Sequence, residues 1–169
     1  MAETFKRGLM KVEIIIMYKK ILVALDRSPQ AEAVFQEALE IAQSNQSSLM
    51  LVHSMSFETQ GVGAFSDIYG NSASHFSKQI NDSLVKEGEE IKKWLSQYHQ
   101  KALERGINAE WNCNLGDPGR WIREIASTWK ADLVVVGRRG RRSLTEMLLG
   151  SVSNHVVHHA PCSVLVVQS

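Results

Sequence analysis

A chain of 169 residues has the length of one domain, and 44% hydrophobic with 22% charged residues is the balance of an ordinary globule. A formal net charge of +1 exerts no global pull on nucleic acid or on an anionic membrane, so neither is expected as a partner. No apolar run is long enough to cross a bilayer or to form a secretory signal, so the expected compartment is the cytoplasm. The two cysteines, Cys113 and Cys162, lie beside apolar strand patterns and read as buried reduced thiols, with no spacing for a disulfide framework or a zinc site.

Residues 1–16 precede the first clear element and are expected to be a poorly ordered N-terminal extension. The apolar cluster Val12–Ile16 could instead add an edge strand. Residues 17–169 are read as the domain itself. Ile21–Leu25 reads as a buried strand ended by Asp26. Ser28 and Pro29 read as the cap and first turn of a helix reaching about Ser44, with Val34, Ala38 and Ile41 on one face. Leu49–Val52 is the second strand, ending near His53. Ser54–Ser74 has little periodicity and reads as a long loop, a candidate responsive element.

Ile80, Leu84, Ile91, Leu95, Tyr98 and Ala102 then recur at helical spacing, which predicts a helix over about His75–Arg105, stopped by Gly106. Ile107–Asn114 is the third strand. Asp117 caps and Pro118 opens the next helix. Asp132–Val136 is the fourth strand, Ser151–His159 the last helix and Ser163–Val167 the fifth strand. Strand and helix alternate throughout, which predicts parallel pairing with right-handed crossovers and a three-layer α/β sandwich. The pattern does not give the order of the strands.

The most informative stretch begins at Leu133. Four apolar residues, three of them β-branched, run into Gly137, as in a strand buried on both faces. The glycines that follow are spaced Gly-x2-Gly-x9-Gly-Ser, from Gly137 through Gly140 to Gly150 and Ser151. This is neither a Walker A loop nor a dinucleotide fingerprint. A helix N-terminus offers unpaired amides at the positive end of its dipole, and phosphate satisfies them.

This spacing resembles the ATP-binding signature of the universal stress protein family. Ile21–Asp26, Gly116–Pro118 and His159–Val167 agree with that family at matching places, and the resemblance covers Tyr18–Val167. It implies a five-stranded parallel sheet of order 3-2-1-4-5, an adenine nucleotide α-hydrolase-like sandwich. It implies nucleotide contacts at Ala24, Asp26, Val52, Gly137, Gly140, Gly150, Ser151, Val152 and Ser153, and Arg138, inside the same spacing, is read as a further contact. Val52 would read the adenine edge through its backbone, and Asp26 would lie by the adenosine or near a bound Mg2+. It further implies a homodimer formed by antiparallel pairing of Val164, Leu165, Val166 and Val167 at a sheet edge.

Arg138, Arg139, Arg141 and Arg142 make this loop more basic than the usual family loop. A solvated loop and contact with the triphosphate are the two main readings. Nucleic-acid contact is the weakest, since no aromatics are interleaved. His155, His158 and His159 share one short helix and lack further ligands for a metal, so they read as structural or surface residues, with packing or capping at His159. No catalytic constellation stands out. The chain therefore reads as a binder of ATP, or another adenine nucleotide, with Mg2+. Its role would be regulatory, toward unknown protein partners, with a slow ATPase or adenine-nucleotide transferase as the alternative.

Overall fold

The computed structural model of the protein describes residues 18–55, 73–138 and 149–168. The expected extension before Met17, most of the expected loop, and Gly140 with its neighbouring arginines Arg139, Arg141 and Arg142 lie outside the described residues. Nine elements alternate among those described: β1 (Lys20–Ala24), α1 (Ala31–Asn45), β2 (Ser48–Met55), α2 (Ala73–Glu104), β3 (Ala109–Leu115), α3 (Pro118–Thr128), β4 (Leu133–Gly137), α4 (Ser151–His159) and β5 (Ser163–Val167). The five strands pair in parallel in the order β3-β2-β1-β4-β5.

Side-chain alternation along the strands builds two cores. Ile21, Val23, Leu49, Leu51, Leu133 and Val135 pack against Phe35 and Leu39 of α1 and Ile91 and Leu95 of α2. Leu22, Met50, Val52, Val134 and Val136 pack on the other face with Ile122 of α3 and Val156 of α4. That is the three-layer sandwich expected from the alternating pattern. β5 lies at one edge of the sheet, with Val164, Leu165 and Val166 only half-buried.

Two element boundaries differ from the reading of the sequence for physical reasons. Ser28 does not cap α1. Asp26 Oδ1 accepts from both the amide (3.2 Å) and the hydroxyl (2.5 Å) of Ser28, forming a tight turn. The helix starts at Ala31, with Gln30 at its cap position and no side-chain cap. β2 runs past His53 to Met55, because Ser54 and Met55 pair with Asn114 and Leu115 of β3. Asp117 does cap α3, accepting from the Arg120 amide at 2.7 Å, and Pro118 opens that helix. Gly116 before it has φ +150, a conformation that side chains rarely adopt.

Candidate functional site

The order β3-β2-β1-β4-β5 places a topological switch between β1 and β4. The chain leaves β1 toward β2 on one side and returns from β3 to β4 on the other. Crevices beyond the strand C-termini open at such points. Ala24 is the last residue of β1, flanked by Val52 on β2 and Val136 on β4. Asp26 follows β1, and Gly137 and Arg138 follow Val136, so both strand tips deliver expected site residues to this end of the sheet. Val52 is 1% exposed, and its carbonyl accepts from the Leu25 amide at 2.9 Å. Asp26 is half-buried, held in the turn with Ser28, and Arg27 beside it faces Glu90 of α2 at 3.8 Å.

The N-terminus of α4 is fastened to the tip of β4. The Arg138 carbonyl accepts from the Gly150 amide at 2.9 Å and from the Ser153 hydroxyl at 2.8 Å. The Arg138 amide in turn donates to Val167 of β5 at 2.8 Å. Gly150 is the cap residue and supplies no side-chain cap. The first helical bond is from Asn154 N–H to the Gly150 carbonyl, at 2.8 Å. The amides of Ser151, Val152 and Ser153 therefore precede the helical ladder, at the positive end of the dipole.

Expected residues divide by role here. Ser151 is exposed and Val152 half-buried, whereas Ser153 is 3% exposed with its hydroxyl turned to the carbonyls of Arg138 and Gly150. The Ser153 hydroxyl thus orders the helix start, leaving its amide as its offering to a ligand. Gly150 has φ −63, so its value is the missing side chain, not a special conformation.

The donor set fits a phosphate better than an independent metal site. Among the described residues no side chain caps these three amides, an arrangement that suits an anion. Among the described residues no group of three His, Cys, Asp or Glu side chains could hold a metal ion. A Mg2+ ion here would rest mainly on nucleotide oxygens, with Asp26 as the neighbouring carboxylate.

The remaining singled-out residues stand apart from these groups. His155 and His159 stack with ring centroids 4.3 Å apart. His159 Nδ1 lies 2.8 Å from the His155 carbonyl, so that nitrogen carries a proton and caps the end of α4. Cys162 precedes β5 at the opposite end of the sheet. Burial, and secondarily the charge of Asp132, push its thiol pKa up. The sequence reading passed over His53, which is 4% exposed on β2 with Nδ1 2.8 Å from the Leu25 carbonyl. Its alternation with Leu49 and Leu51 on one face was the available signal.

The universal stress protein family model matches residues 17–168. The chain belongs to that family. Universal stress protein Sll1388 of Synechocystis sp. is 45% identical over 151 residues, covering 89% of this chain and 98% of that protein. Universal stress protein UspA from Lactobacillus plantarum superposes with a TM-score of 0.71 at 28% identity, over 90% of this chain and 99% of that one. A universal stress protein from Archaeoglobus fulgidus, solved in complex with dAMP, shares the fold with a TM-score of 0.60 at 23% identity, covering 90% of this chain and all of that one (100%). Among the described residues no helix of this universal stress protein is long and apolar enough to cross a membrane.

Proposed function

We propose that this universal stress protein binds ATP, or another adenine nucleotide, with Mg2+ at the switch between β1 and β4, and that occupancy regulates its contacts with other proteins. The observation that carries the reading is the uncapped start of α4, fastened to the tip of β4 beside the tip of β1. The phosphates would meet the amides of Ser151, Val152 and Ser153 and the loop from Gly137 to Gly150. Arg138 would stand beside them, its planar fork suited to phosphate oxygens. Ala24, Asp26 and Val52 would border the adenosine half. The dAMP complex of the Archaeoglobus fulgidus relative supports an adenine nucleotide as the class of ligand.

Regulation follows from linkage. A ligand shifts a conformational equilibrium by its difference in affinity for the two states. The half-buried apolar edge at Val164–Val166 supports a homodimer in which β5 of two copies pairs antiparallel. The cytoplasm is the proposed compartment.

Titration calorimetry with ATP and adenosine tests the site. Gly140→Val puts a branched side chain in place of the middle glycine of the Gly-x2-Gly-x9-Gly-Ser spacing. It should weaken ATP at least tenfold, about 1.4 kcal/mol, and leave adenosine and the circular dichroism spectrum unchanged. Unchanged ATP affinity would remove the phosphate assignment.

A further inference from the structure

In a parallel ladder every second residue of a strand bonds the same neighbour, through its amide to one residue and through its carbonyl to another. Val52 of β2 accepts from the Leu25 amide at 2.9 Å. The following rung would carry the Ser54 amide to the Leu25 carbonyl. Among the described residues that rung is absent, and β1 ends at Ala24 while β2 continues to Met55. His53 takes the acceptor instead. Its Nδ1 lies 2.8 Å from the Leu25 carbonyl in a buried setting, so Nδ1 carries the proton and donates. The ring is 4% exposed and sits edge-on to Trp94 of α2, with centroids 5.4 Å apart.

We propose that His53 is a positioning residue for the adenosine half of the ligand: its imidazole replaces one backbone rung, so β1 leaves the sheet at Leu25 and Asp26 is presented to the crevice. This rests on the reading that Asp26 and Val52 border the adenosine. Two consecutive residues of β2, Val52 and His53, hold the amide and the carbonyl of Leu25. Without the imidazole, the buried carbonyl is left with two outcomes. It stays without a donor, which is costly, or β1 slides on into the ladder to meet the Ser54 amide. The second outcome carries Asp26 away from its place.

The experiment compares the wild-type chain with His53→Phe, His53→Asn and His53→Gln. Affinities for adenosine and ATP are measured by calorimetry, with a melting curve for each variant. Phe keeps the edge contact with Trp94 and removes the donor. It should weaken adenosine and ATP by the same factor, about tenfold. Asn can place an amide N–H where Nδ1 stands and should restore both affinities to within about threefold of wild type. Gln reaches the Nε2 position and should not restore them. If His53→Phe does not fold, the contrast between Asn and Gln decides alone.

A His53→Phe chain that melts lower yet binds adenosine like wild type would make His53 a structural residue only. Equal affinities for the Asn and Gln variants would overturn the proposal as well. A wild-type chain that binds neither adenosine nor ATP would overturn the nucleotide reading itself, a separate and visible result.

Discussion

The seam between α3 and α4 permits a sharp test of how α4 is placed. An ideal Cβ added to Gly119 would sit 2.8 Å from His155 Cγ, 2.9 Å from Cδ2 and 3.0 Å from Cβ. These are the root atoms of the imidazole, which rotate away poorly. Overpacking of this kind costs about 1–3 kcal/mol. Against that, alanine is better than glycine in a helix by up to about 1 kcal/mol. Gly119→Ala should therefore destabilise the protein by roughly 1 kcal/mol.

Gly88 of α2 supplies the control, because nothing lies within 4 Å of a Cβ placed there. Gly88→Ala should stabilise by about 0.5–1 kcal/mol. The two variants differ by the collision alone, about 2 kcal/mol at mid-range, or roughly 4–8 °C in melting temperature for a chain of this size. Urea titrations with unchanged slope would confirm that stability and not the unfolded state has moved. Adding His155→Ala to Gly119→Ala should recover most of the loss, as a coupling energy between contacting residues. Equal shifts for Gly119→Ala and Gly88→Ala would show that the seam is looser than the geometry describes and that His155 does not set the approach of α4.

The two serines at the start of α4 should separate. Ser153→Ala removes a buried donor and should cost about 0.5–1.5 kcal/mol of stability in a melting curve. Ser151→Ala should leave melting unchanged and weaken ATP several-fold with adenosine unaffected; an equal effect on both ligands would return Ser151 to a fold-shaping role. Val166→Lys brings two like charges together if β5 pairs across a two-fold axis, so light scattering should show a weakened dimer with the circular dichroism intact. A wild-type chain that stays monomeric at micromolar concentration would end the dimer assignment. Cys162, with its thiol pKa raised, should react with iodoacetamide at pH 8 more slowly than free cysteine, as followed by mass spectrometry. A raised folded pKa stabilises at neutral pH and is lost as pH rises through the thiol range, so Cys162→Ala should flatten the alkaline part of the stability profile.

Features governed by nearby residues were readable from the chain. β4 announces itself because Leu133–Val136 is apolar on both faces, and α3 because Asp117 and Pro118 carry its start locally. Strand order was not readable from periodicity, since a hydrophobic period says which face is buried and nothing about which edge a crossover takes. It came from resemblance, and the sheet agrees. Ser28 misled because its hydroxyl, tied to Asp26, accepts the Gln30 amide in a turn that ends just before α1 begins. His53 seemed to end β2 because a polar residue interrupts the apolar run; its acceptor is 28 residues away. The resemblance put Ser153 among the nucleotide contacts, whereas its hydroxyl is turned to the Arg138 carbonyl 15 residues away. Side chains whose partners lie across the fold cannot be assigned from spacing alone.

The doubly engaged Arg138 carbonyl has a consequence for how this protein can change. Gly150 N–H and the Ser153 hydroxyl both return to it, so the start of α4 is tied to the tip of β4 at one atom. Between two positions held together in this way, doubling the number of intervening residues adds only about 0.6 kcal/mol of closure entropy. The place of α4 on the sheet is thereby insulated from the length of the chain between Arg138 and Gly150, so a lineage can vary that length without moving the helix.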